Sequence, residues 1–157
     1  MKRYWLTSIL LAVLLTACGG APASSGGAAD SAPTPEGTAA LFSNFTSVET
    51  DTGKFYQIAP QTLADGLKNK NFFFVNTHTP YEGELEQTDA FIIYDQISLH
   101  LDELPQDKSA PIVLYCRSGR MSAIAAAELA NMGYTNVWDL AGGMSAWKEA
   151  GLEVIHK

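Results

Sequence analysis

The runs Phe72-Phe73-Phe74-Val75 and Ile112-Val113-Leu114-Tyr115 are apolar at every position. A strand wet on one face alternates apolar with polar residues, whereas a strand without alternation has to be covered on both faces, as in a parallel sheet. Such coverage calls for helices between the strands, and the chain supplies candidates. Pro60 can open a helix over 60–67, because the first helical position has no use for the N–H that proline lacks. Residues 122–132 are rich in Ala, Leu and Met and stop at Gly133, and residues 144–150 stop at Gly151, so both read as helices with a glycine just past the end. Shorter strand candidates are 90–93 and 136–140. The alternation predicts one α/β domain over 41–157, with a mainly parallel central sheet and helices on both faces.

The residues before it are of another kind. Lys2 and Arg3 precede an apolar stretch over 6–15 and then Thr16 and Ala17, the layout of a secretory signal. That stretch is too short for the roughly 20 apolar residues of a membrane span. Leu15-Thr16-Ala17-Cys18 resembles a bacterial lipobox, which implies removal of 1–17 and acylation of Cys18. The expected location is the cell membrane, with the protein lipid-anchored on its extracytoplasmic face. More than one acyl chain is needed for firm attachment, since a single chain binds only marginally. Residues 18–40 are Gly, Ala, Ser, Pro and Thr with almost no periodic apolar positions, and are expected to form a flexible tether. Asn44-Phe45-Thr46 fits a glycosylation acceptor, but a three-residue match behind a bacterial-type leader carries little weight.

Charge narrows the partners. With Lys+Arg 10 against Asp+Glu 17 in 157 residues, the net charge of −7 argues against sequence-independent binding to nucleic acid, which relies on cations neutralising phosphates. Two cysteines are too few for a disulfide framework or a thiolate zinc site. Cys18 belongs to the leader, so Cys116 needs its own explanation.

Cys116 directly follows the run 112–115, and Arg117-Ser118-Gly119-Arg120-Met121-Ser122 leads into the alanine-rich helix. In parallel sheets, ligands gather at the carboxyl ends of strands. The unpaired amides and dipole of a helix N-terminus favour an anion there, and Gly119 permits backbone angles that turn successive amides inward. Both effects favour the thiolate, which is the nucleophilic form of cysteine. After residue 17 the chain has two arginines, Arg117 and Arg120, both within four residues of Cys116. Guanidinium groups match oxyanions through paired hydrogen bonds, so the loop is expected to hold a bare, reactive sulfur in a cationic cup. The plainer alternative is a buried, inert cysteine beside two solvated arginines.

The segment Tyr115-Cys116-Arg117-Ser118-Gly119-Arg120-Met121-Ser122 resembles the active-site loop of single-domain rhodanese-like sulfurtransferases. Val137-Trp138-Asp139-Leu140-Ala141-Gly142-Gly143-Met144-Ser145-Ala146-Trp147 resembles the C-terminal signature of that family, and the likeness extends over about 55–154. It implies that Cys116 is the catalytic nucleophile and that Arg117, Ser118, Gly119, Arg120, Met121 and Ser122 bind the substrate. The implied substrate is a small anionic sulfur donor such as thiosulfate. Cys116 would hold a persulfide until an external thiol or cyanide accepts the sulfur, with no metal and no organic cofactor required. On physical grounds Gly142-Gly143 reads as a tight turn and Trp147 as a core aromatic.

The likeness fails upstream. Where the family usually has an Asp-Val-Arg triplet after the first long strand, this chain has Asn76-Thr77-His78, and Glu84-Leu85-Glu86-Gln87-Thr88-Asp89 replaces the usual Gly-His-Ile-Pro-Gly stretch. Donor preference is therefore open. His78 either lines the pocket or is a hydrogen-bonded structural residue. Glu82, Glu84, Glu86 and Asp89 read as a solvated acidic loop in preference to a cation site, and His100 and His156 carry no partner pattern.

Two other classes compete. A cysteine phosphatase or arsenate reductase needs an arginine six positions after its nucleophile, and here that residue is Ser122. A non-catalytic or sulfide-sensing module could use the same pocket, although such modules usually have the nucleophile replaced. Beyond Cys18 the chain has no second cysteine to resolve a persulfide, which is why the acceptor is expected to be external.

Overall fold

The computed structural model describes residues 42–157, so the signal, Cys18 and the tether lie outside the described residues. The described part is a six-stranded sheet of β1 (Phe45–Glu49), β2 (Lys54–Ile58), β3 (Phe73–Asn76), β4 (Ala90–Phe91), β5 (Ile112–Tyr115) and β6 (Val137–Leu140). The strand order is β1-β2-β6-β5-β3-β4, and every pairing is parallel except β1 with β2. Helices α1 (Pro60–Leu67), α2 (Arg120–Asn131) and α3 (Gly143–Glu149), with a 3-10 helix over Tyr94–Leu99, complete the domain.

Burial follows from the absent alternation. All four residues of β5 and all four of β6 are buried. Along β5, Val113 and Tyr115 join one core with Leu63 of α1 and Met144 and Trp147 of α3, while Ile112 and Leu114 join the other with Ala125, Ala126 and Leu129 of α2. Trp138 anchors the first core, its ring 4.9 Å from Phe42 and 4.7 Å from Tyr56 between centroids. Trp147 is buried at 5% exposure and donates its indole N–H to the Glu153 carbonyl at 2.8 Å, the situation expected of a core aromatic.

Two strands were not foreseen and two expectations needed adjustment. β1 and β2 were not legible, because β1 mixes half-buried with exposed positions and β2 is polar at Gln57, the position that pairs with Asp139 inside the sheet. α2 starts at Arg120 rather than at 122, since Gly119 at φ 84° forms its N-cap and draws Arg120 and Met121 into the first turn. The strand expected over 90–93 shortens to two residues at the sheet edge, although the Ile92 amide still donates to the Asn76 carbonyl at 3.0 Å.

Candidate active site

Strand periodicity aims the cysteine. Ile112 and Leu114 face α2, so the next residue in that alternation, Cys116, turns its sulfur toward the first turn of the same helix. The Gly119 N–H donates to Cys116 Sγ at 3.1 Å, and Ser122 Oγ lies 3.5 Å from Sγ and 3.3 Å from the Gly119 carbonyl oxygen. The positive φ of Gly119 makes this amide contact, folding the loop back over the sulfur.

The loop rests on a second turn. The Met144 and Ser145 amides, in the first turn of α3, donate to the carbonyls of Cys116 and Arg117 at 2.9 and 2.8 Å. These bonds join groups that both lack partners within their own elements. Gly143, at φ 56°, lies so close that a Cβ there would overlap the Cys116 carbonyl oxygen and sit 2.8 Å from the Gly119 nitrogen. The Gly142-Gly143 pair is thus a brace for the cysteine loop as well as a turn, a role its sequence alone did not disclose.

Cys116 is 1% exposed, which corrects the expectation of a bare sulfur: the same amide and hydroxyl that face it also cover it. The cationic cup also needs revision. Arg117 turns outward, its Nη1 donating to both carboxylate oxygens of Glu82 at 3.0 and 3.2 Å. Glu82 loses some hydration, which raises its carboxyl, but hydrogen bonds and charge from Arg117 and then His78 outweigh this and hold it below the ordinary carboxylate value. Arg120 is exposed and, among the described residues, forms no ion pair. Ser118 is also exposed, while Ser122 is fully buried.

His78 is buried at 3% exposure, with Nδ1 3.4 Å from the Met121 sulfur and Nε2 3.5 Å from a Glu82 oxygen. It therefore connects the segment that departs from the family pattern to the cysteine loop. Of the other carboxylates read as a solvated loop, Glu84 pairs with Lys157, and Asp89 pairs with Lys70 and accepts the Phe74 amide at 2.8 Å. His100 is not partnerless, since Nδ1 meets Glu103 at 2.8 Å. Among the described residues no cluster of side chains has the makings of a metal site.

The reading of the sequence missed Asp139. This residue has 0% exposure, and its Oδ2 accepts from Gln57 Nε2 at 2.9 Å. Burial pushes its carboxyl up to about 7, against the opposing pull of the nearby Ser122 hydroxyl and of Gln57, and its Oδ1 is buried without a hydrogen-bond partner. Because the folded chain holds this proton longer than the unfolded chain, the group's stabilising contribution is complete below 3.8 and is lost as pH rises through about 7. Ionised, it costs the fold about 4 kcal/mol.

A family model described as Rhodanese-like domain matches residues 68–150. A sulfurtransferase of Allochromatium vinosum is 41% identical over 59 residues, which is 38% of this chain and 53% of that protein. The thiosulfate sulfurtransferase GlpE of Ectopseudomonas mendocina is 32% identical over 95 residues, 60% of this chain and 86% of that one. The chain thus spans about half the length of some curated relatives it matches. Among solved structures, a rhodanese-related protein of Thermoplasma volcanium superposes with a TM-score of 0.55 at 22% identity, covering 64% of this chain and 98% of that one, a likeness of fold.

Proposed function

The chain belongs to the family of rhodanese-like domains, and on that premise we propose that it is a sulfurtransferase whose Cys116 carries sulfur as a persulfide. The observation behind this reading is the Cys116 sulfur at the end of β5, with the Gly119 amide and the Ser122 hydroxyl both directed at it. The Cys116 thiolate attacks the outer sulfur of the donor. With thiosulfate, a bond forms between Sγ and that sulfur, the donor's S–S bond breaks, and sulfite leaves with the electron pair. The persulfide keeps one negative charge, which the loop amide and hydroxyl are placed to stabilise. A thiol or cyanide then attacks the outer sulfur and leaves as persulfide or thiocyanate, regenerating the thiolate; this two-step exchange predicts double-displacement kinetics.

Arg117 is already held by Glu82, so Arg120 is the cation left to receive an anionic donor, with Ser118 and Met121 beside it on the loop. That arrangement favours a donor of low charge, such as an organic persulfide, over dianionic thiosulfate. The test is intact-mass measurement after incubation with each donor. A gain of about 32 Da, one sulfur, is expected and should be discharged by cyanide as thiocyanate. No gain with either donor rejects the reading. The burial of Cys116 favours one alternative, a sulfide-binding or sensing module, and a gain that cyanide cannot discharge would select it.

We propose further that Cys18 carries lipid and holds the domain on the extracytoplasmic face of the cell membrane. The support is the lipobox-like Leu15-Thr16-Ala17-Cys18 behind a basic, apolar leader. Labelled palmitate should enter the full chain and be absent from Cys18→Ala; labelling retained in the variant would overturn the assignment.

A further inference from the structure

The segment between β3 and β4 carries a negative charge to the cysteine loop. The Thr77 amide donates to the Tyr115 carbonyl at 2.8 Å, so the chain leaves β3 alongside Cys116. Buried Asn76 then ties both ends of the turn that follows: its Oδ1 accepts the His78 amide and its Nδ2 donates to the Gly83 carbonyl, each at 3.0 Å. Glu82 lies within the turn so clamped, with Arg117 Nη1 at 3.0 and 3.2 Å on one side and His78 Nε2 at 3.5 Å on the other. His78 is buried, and its Nε2 has no hydrogen-bond partner among the described residues. A thioether accepts only weakly, so with Met121 beside Nδ1 the imidazole proton is better placed on Nε2, facing the carboxylate. An exposed ion pair adds little stability. What this one changes is the charge beside Cys116: Arg117 is cancelled, and Arg120 stays exposed without an ion pair among the described residues.

We propose that Glu82 is a specificity-determining residue: by neutralising Arg117 it makes the loop select sulfur compounds that carry one negative charge or none, and turn away dianions. The proposal rests on the sulfurtransferase reading and names the residue that sets the charge of its donor. A dianion arriving at the loop meets one free cation and a carboxylate, and it gains Arg117 only by displacing Glu82 from both of its neighbours. A monoanion is matched by Arg120 and leaves the ion pair intact. Asn76 and His78, which fasten Glu82, are also residues at which the chain departs from the family pattern, so the departure and the selection have one cause.

The test treats the full chain with thiosulfate, a dianion, and with methanethiosulfonate, a monoanion that offers the same outer sulfur and leaves as methanesulfinate. Loading is read by mass spectrometry of the peptide that carries Cys116. Glu82→Gln should speed loading by thiosulfate about 5-fold or more and by methanethiosulfonate about 2-fold, because each unit of donor charge feels the freed cation. Adding Arg117→Ala to Glu82→Gln should remove both gains. Equal gains for the two donors, no gain, or gains that survive the added Arg117→Ala would overturn the proposal. A second pair of reagents needs no sulfur transfer: anionic iodoacetate and neutral iodoacetamide both alkylate the Cys116 sulfur with loss of iodide. Glu82→Gln should speed iodoacetate about 2-fold and leave iodoacetamide unchanged. If neither donor loads sulfur while iodoacetate shows this gain, the sulfurtransferase reading fails and the charge selection stands. Loading without either charge-dependent gain rejects the charge selection alone, and no modification by any of the four reagents rejects both.

Discussion

Cys116→Ser is expected to slow sulfur loading by at least about 10⁴-fold while leaving the fold intact. The substitution changes one atom in a fully enclosed position, and the new hydroxyl inherits polar neighbours in the Gly119 amide and Ser122. Because those partners satisfy it, the stability change should stay within about 1 kcal/mol. The chemistry is lost for a separate reason: an alcohol ionises far less readily than a thiol, and its oxygen cannot form the bond to sulfur that stores the transferred atom. The donor should still bind, since the loop amide and Arg120 remain. Intact-mass measurement reads the loading and thermal unfolding reads the fold. A mass gain retained by this variant would move the chemistry to another residue.

Gly143→Ala should produce a second large effect, a loss of about 3 kcal/mol or more of stability together with the loss of sulfur loading. Two costs add. At φ 56° any L side chain pays for the left-handed backbone, and the added carbon would collide with the Cys116 carbonyl and the Gly119 nitrogen, backbone atoms that cannot swing aside. Relief would require α3 to lift from the loop, breaking the Met144 and Ser145 amide bonds to the carbonyls of Cys116 and Arg117. Gly151→Ala provides the comparison, because its φ is 78° but nothing lies within 4 Å of the added carbon. It should cost only the backbone share, about 1 kcal/mol. Urea unfolding of the pair separates conformational cost from collision. Equal losses would show that α3 does not brace the cysteine loop.

Features encoded within a few consecutive residues were readable before folding. Pro60 and the unbroken run at 112–115 placed a helix and a strand to the residue, because a fixed proline φ and two-sided burial are written locally. Cys116 at a strand end ahead of a helix was legible for the same reason. What escaped were pairings made only when distant segments meet. Gln57 with Asp139 spans 82 positions, and Glu82 with Arg117 spans 35. Alone, Asp139 is one acid among 17, and only the sheet register sets it between Gln57 and Leu114 in the interior. The sulfur's burial is not legible in the sequence, because the volume taken up by the amides that attract a thiolate emerges only in the folded loop.

That cover acts as a sieve. A slender reagent presenting one sulfur end-on needs only a small opening of the cover made by the Gly119 amide and the Ser122 hydroxyl, whereas a folded protein's disulfide would have to spread a loop tied by amide bonds to α3. Were Cys116 loaded as proposed, the outer sulfur would stand one bond further out than the enclosed Sγ, and the cover over it would be thinner.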